Sequence, residues 1–244
     1  NVFLATQVFG QITQVGTATT AANSGTTITI ASPGSLAVGN VLIASISFND
    51  NQTGTNLNVN ASASGWTVID GRQIGINGNN EWWGTLLYRV VDGTEGANFV
   101  FTLDADAEGG VATLVAFSGV AATGGVKEDG SAGGPFDADP GVINSINSDN
   151  SLNASAISTA TANAAVIMFG FIGDDNNVTS NSWTTATAGA LTELFDNSTT
   201  NGADNAVAAA MVIFSGTGTT GAGSATVSAS DPNCSILIAL KAAP

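Results

Sequence analysis

The chain has 244 residues, enough for one large all-β domain or two smaller ones with proper cores. Only 9% of residues are charged, with 19 acids against four bases (Arg72, Arg89, Lys127, Lys241) and a net charge of −15, which excludes the clustered cations needed to grip nucleic acid or an anionic membrane. The sequence contains no His, which removes Ser-His-Asp and Cys-His catalysis and His-ligated zinc, and the lone Cys234 excludes an intrachain disulfide.

The chain opens on NVFLATQVFGQITQV, in which Val2, Leu4, Thr6, Val8 and Ile12 share one face of an extended segment. That is strand patterning, longer than a typical strand of about five or six residues. Two readings stand open: residues 1–15 are the first strand of their own sandwich, or an arm that adds to the sheet of a neighbouring subunit, with Val2, Leu4, Val8 and Ile12 forming the contact. The absence of an initiator Met leads us to expect a processed start and a secreted, cell-surface protein with its signal peptide removed.

Further strands are predicted at 26–30, 40–48, 65–74, 81–91, 98–103 and 111–120, then at 164–172, 190–196, 205–214, 224–230 and 234–241. Each is a short apolar run bounded by Gly, Asn, Asp or Ser. The stretch NAVAAAMVIF (205–214) has helical propensity as well. The longest apolar run, AAVIMFGFIG, is about half of the roughly 20 residues that a membrane-spanning helix needs.

The pattern repeats. EWWGTLLYRVVDGT (81–94) aligns with DNAVAAAMVIFSGT (204–217), GVATLVAFSGV (110–120) with NCSILIALKAA (233–243), and VGNVLIASISF (38–48) with ANAAVIMFGFI (162–172), all at offsets of about 123 residues. Trp66 and Trp183 each open a Trp-Thr strand. This predicts an all-β, jelly-roll-like sandwich of two homologous halves: an arm at 1–15, β-units at 16–120 and 145–244, and a Gly/Asp/Pro-rich connector at 121–144, with halves of one body favoured over separate domains.

The ordered motifs GWTVIDGRQ, LLYRVVDGTEGANFVFTL and ATLVAFSGV resemble those of a diffuse group of secreted bacterial and phage-associated β-sandwich surface proteins. The resemblance is clearer in the first unit; Tyr88 and Arg89 have Met211 and Val212 as their counterparts in the second. It implies a surface or virion structural role with no shared catalytic site.

Candidate chemistry is sparse. Asp104, Asp106 and Glu108 alternate in DADAEGG, and Asp137 and Asp139 in FDADPG; both loops are weak candidates for a structural Ca²⁺, with too few ligands in either alone. No other cofactor is expected. The Glu residues sit in no motif that pairs an acid with a nucleophile. Sequons at Asn51, Asn60, Asn153, Asn177, Asn197 and Asn233 permit glycosylation at a frequency that chance composition explains. Trp82 and Trp83 are adjacent in a strand, so their rings point to opposite faces; Trp82 is the candidate for a glycan or subunit contact. Cys234 opens the apolar run CSILIAL and reads as a buried structural thiol. The expectation is a non-enzymatic subunit of an extracellular filament or surface assembly, a homopolymer held by β-strand contacts. The alternatives are a glycan-binding lectin and a phage decoration or fibre protein.

Overall fold

The computed structural model describes residues 10–50, 61–77 and 80–244. Among them there is no α-helix, only a single 3₁₀ turn at Ser180–Ser182. The first half contains β1 (Thr13–Ser24), β2 (Thr27–Ala31), β3 (Val41–Asp50), β4 (Thr67–Asn77), β5 (Asn80–Val90), β6 (Asn98–Thr102) and β7 (Ala107–Ser118). A small hairpin of β8 (Gly125–Val126) and β9 (Ala132–Gly134) follows. The second half contains β10 (Asn144–Ala154), β11 (Ser158–Thr159), β12 (Ala164–Ile172), β13 (Thr184–Thr185), β14 (Gly189–Ala190), β15 (Thr192–Thr199), β16 (Asn205–Phe214), β17 (Gly218–Thr219) and β18 (Gly223–Leu240). The segment 205–214, ambiguous on propensity, is a strand because its alternate residues feed two different cores.

The two halves have one topology. The first sheet runs β1-β7-β3-β5-β4 and the second runs β10-β18-β12-β16-β15, with β13 and β14 as an added flap; β2 pairs with β6 as β11 pairs with β17. In each half the pairings are nested, first strand with last, second with second-last, third with third-last, as when a long hairpin folds over into a jelly roll. Registers repeat as well. Val41 faces Val90 and Phe117, and Ala165 faces Ile213 and Leu240.

The large sheets pack face to face, and both of their faces are covered. Along β3, Val41 and Ile43 enter the core between the sheets, whereas Leu42, Ala44, Ile46 and Phe48 enter an outer core under the β2–β6 cover. Along β12, Ala165, Ile167, Phe169 and Phe171 face inward, while Val166, Met168 and Ile172 enter the second half's outer core. Double coverage explains why these strands read as continuous apolar runs instead of alternating ones. Trp66 and Trp183 are counterparts, each packed in its half's outer core.

The edge strands β1 and β10 are polar and lie largely outside the predicted strands; only their pairing with β7 and β18 makes them strands. The structure also merges the predicted strands 224–230 and 234–241 into β18. All four edges of the principal sheets, β1, β4, β10 and β15, carry register shifts, a device that blunts an edge against further strand addition.

Candidate functional site

Val2, Leu4 and Val8 lie outside the described residues. Ile12, expected at a subunit contact, is instead in the chain's own inter-sheet core at 1% exposure, a correction that follows from the pairing of the chain immediately after it: Thr13, Gln14 and Val15 face Ser118, Phe117 and Ala116. Ahead of it, the Gly10 N–H donates to the Ala243 carbonyl at 2.8 Å, and the Ala243 N–H donates to the Gly119 carbonyl at 2.8 Å. The entry of the first strand is thereby stitched to the last strands of both halves. Gly119 has φ +73°, and a Cβ there would lie 2.4 Å from the Gln11 carbonyl oxygen, so only glycine lets the segment lie down. Beside this junction an open cavity of about 280 Å³ is lined by Gly10, Gln11, Asn163 and Ile213.

Trp82 is not an exposed platform. It is buried at 5% exposure, and its indole N–H donates to the carbonyls of Ala203 and Asp204, both at 3.0 Å. Its ring lies on Gly173, where a Cβ would come within 2.6 Å of it. A side chain from the first half thus anchors two turns of the second. Trp83 points the other way, into the outer core, and donates to Asp50 at 3.1 Å. A polar seam adds to the joint: Ser47 donates to Asn205, which donates to Asn49, which donates to Glu108.

The two acidic loops singled out for Ca²⁺ are put to other uses. Asp104 accepts the Asp106 N–H within its own turn, and Glu108 accepts from Asn49. Asp137 is buried and accepts the N–H groups of Ala160 and Thr161 together with the Thr161 hydroxyl, which satisfies it without a metal. Asp139 is not brought to either group; it lies beside Gly130. Among the described residues, the acids whose oxygens converge are Asp174, Asp175 and Asp204, within 4.8 Å of one another. Burial, the Asp175 hydrogen bond and the negative charge of Asp231 push the Asp174 carboxyl up to about 6. Asp231 is raised by burial too, although Asn176 donates to it at 2.6 Å. Such a group offers hard oxygen ligands of the kind a divalent cation takes. Sequence reading missed it because Asp204 reaches the Asp-Asp pair only through the fold; GDDNN at 173–177 was the visible signal.

A second acidic pair lies on β15. Asp196 accepts the Val178 N–H at 2.8 Å, its other oxygen is buried without a partner, and burial with the nearby Glu193 charge pushes it up to about 6. Glu193 accepts the Trp183 indole N–H at 3.3 Å. Cys234 is fully buried, and burial holds its thiol well above the ordinary range, so it is inert as a nucleophile. Comparison with known protein families, with curated proteins and with solved structures gave no match.

Proposed function

We propose that the chain is a non-enzymatic structural subunit of an extracellular filament or surface assembly, joined to its neighbours through the N-terminal segment. The observation that carries this reading is the contrast between residues 1–9 and the rest of the molecule. NVFLATQVF has no charged side chain and six apolar residues in a chain of net charge −15, and the residue that follows it, Gly10, lines a cavity together with Ile213. An apolar strand-patterned segment needs a covering surface. The bulged edges of the body favour one directed contact over indiscriminate edge pairing.

The glycan-binding alternative loses its aromatic platform, since Trp82, Trp83 and Trp183 are buried and Trp66 packs edge-on against Phe99 and Phe101. Partner and location remain those expected from the sequence: a second copy of this chain, outside the cell.

The test is electron microscopy of the full chain and of a deletion of residues 1–9. The cut stops short of Ile12, which belongs to the core. Fibres that disappear on deletion support the reading; fibres that persist, or their absence from both samples across concentration and salt, overturn it.

A further inference from the structure

Two aspartyl-prolyl bonds occur in the chain, Asp139–Pro140 and Asp231–Pro232. An aspartyl carboxyl that precedes proline can attack its own main-chain carbonyl, because the reaction is intramolecular, closes an unstrained anhydride ring and releases the proline nitrogen as a secondary amine. A regular strand protects such a bond by holding the carboxyl away from that carbonyl. The fold treats the two bonds differently.

Asp231 stands where the β10–β18 ladder breaks: it pairs with Asp149, and the next pair along is Thr226 with Ser151. Irregularities of this kind re-aim side chains. Pro232, which has no N–H to give to a ladder, is buried against β4 at Gly75, where a Cβ would come within 2.2 Å of its ring, and its carbonyl accepts the Gly173 N–H at 2.7 Å. The leaving group is thereby fixed. The carboxyl is fixed as well, since Asn176 donates to the Asp231 Oδ2 at 2.6 Å.

Asn233 completes the arrangement. Its amide nitrogen donates to the Asp231 carbonyl, which is the carbonyl of the Asp231–Pro232 bond, at 3.0 Å, and to the Asp149 carbonyl at 2.6 Å. Both partners are acceptors, so the amide must face them through its nitrogen, and its oxygen is left buried without a partner. Asn233 is fully buried, which strengthens the donation. A buried donor aimed at a carbonyl oxygen stabilises the negative charge that develops there when the carbon is attacked. Asp139 is exposed, and no hydrogen bond to its carbonyl is formed among the described residues.

We propose that Asp231–Pro232 is a self-cleavage site, with the Asp231 carboxyl as nucleophile and the Asn233 amide as oxyanion donor. An Asp231 carboxyl oxygen bonds to its own main-chain carbonyl carbon, the C–N bond to Pro232 breaks, and the carboxyl proton passes to the proline nitrogen. Water then opens the anhydride, which restores the side-chain carboxyl and leaves a new main-chain carboxyl. One water is consumed and nothing is oxidised or reduced. This is a single turnover of the chain on itself, beyond the structural role proposed above and independent of it. The severed strand stays seated, because Asn233 to Leu240 remain paired with β12.

The test is intact-mass spectrometry, under denaturing conditions, of full chain kept folded or in urea at about pH 5, where a carboxyl exchanges between acid and anion. Fragments 1–231 and 232–244, together heavier than the intact chain by one water, are expected from the folded sample. Their rate should exceed that of Asp139–Pro140, and that of the same bond in urea, about tenfold or more. Asn233→Leu keeps the size and removes the donor, so it should lower the rate about tenfold or more. Asp231→Glu, whose anhydride ring is larger and slower to close, should abolish cleavage. Folded wild-type chain that cleaves at Asp231 no faster than at Asp139, or no faster than in urea, overturns the proposal, as does an unchanged rate in a folded Asn233→Leu variant. The two wild-type comparisons decide the matter even where a variant does not fold.

Discussion

Gly119 and Gln11 touch where the chain enters the first strand: the left-handed backbone of Gly119 leaves its Cα face open, and the Gln11 carbonyl occupies the space where a Cβ would stand. Gly119→Ala therefore carries two costs, a strained backbone and a displaced entry segment. We expect a loss of about 2–4 kcal/mol in chemical denaturation, a sum of left-handed strain and steric displacement. Gly25→Ala has a positive φ but nothing within 4 Å of its would-be Cβ, so it should lose only the backbone part, about 1 kcal/mol. Equal losses in the two variants would mean that the Gln11 contact yields freely.

Trp82 ties the halves together by shape and by one shared hydrogen. Trp82→Phe keeps most of the ring but abandons the carbonyls of Ala203 and Asp204, at an expected cost of about 1–3 kcal/mol. Trp82→Ala adds a cavity against Gly173 and should cost about 3–5 kcal/mol. Thermal unfolding measures both. A wild-type melting temperature in the alanine variant would show that the side chain is not the joint described.

Stability should fall as pH rises from about 4 to 6. Asp174 and Asp196 have folded-state values of about 6 against an ordinary 3.8, so between those limits the folded chain binds more protons than the unfolded chain. Their protonation favours folding below about 6, and that favour disappears as each ionises. Asp196→Asn keeps an oxygen for the Val178 N–H and removes the buried charge, so it should stabilise the protein at pH 7.5 and flatten the pH dependence. A denaturation series over this range checks it; stability that climbs with pH in the wild type would contradict the assignment.

Strands that are buried on both faces were legible because continuous apolar runs bounded by turn residues have few other uses. β3, β5, β7, β12 and β16 fall within a few residues of where the sequence puts them. β1 beyond Val15 and β10 were not legible: across TATTAANS and NSINSDNSLNA the apolar residues larger than Ala are Ile146 and Leu152, and their partners β7 and β18 lie far away in sequence. Trp82 was misjudged for a related reason. Alternation told which face it occupied, but nothing local told that the second half covers that face. The converging acids at 174, 175 and 204 were hidden likewise, since their grouping depends on how the turn after β12 meets the turn before β16.

Asp137 gives the sharpest contrast between a loop acid as a metal ligand and a loop acid as a structural acceptor. Its carboxylate receives two backbone N–H groups and a hydroxyl, all from Ala160 and Thr161, and it is nearly inaccessible. Hydrogen bonds to a charged acceptor contribute about 1.5–3 kcal/mol each when one partner is lost, and removing the carboxylate leaves buried donors unmatched. Asp137→Ala should therefore destabilise by about 3 kcal/mol or more, whereas Thr161→Val, which deletes one donor and keeps the shape, should cost about 1–2 kcal/mol. Neither loss should respond to millimolar calcium or to a chelator, because the oxygens that calcium would need are already occupied. A calcium-dependent rise in the melting temperature that Asp137→Ala abolishes would return this loop to the metal-binding role.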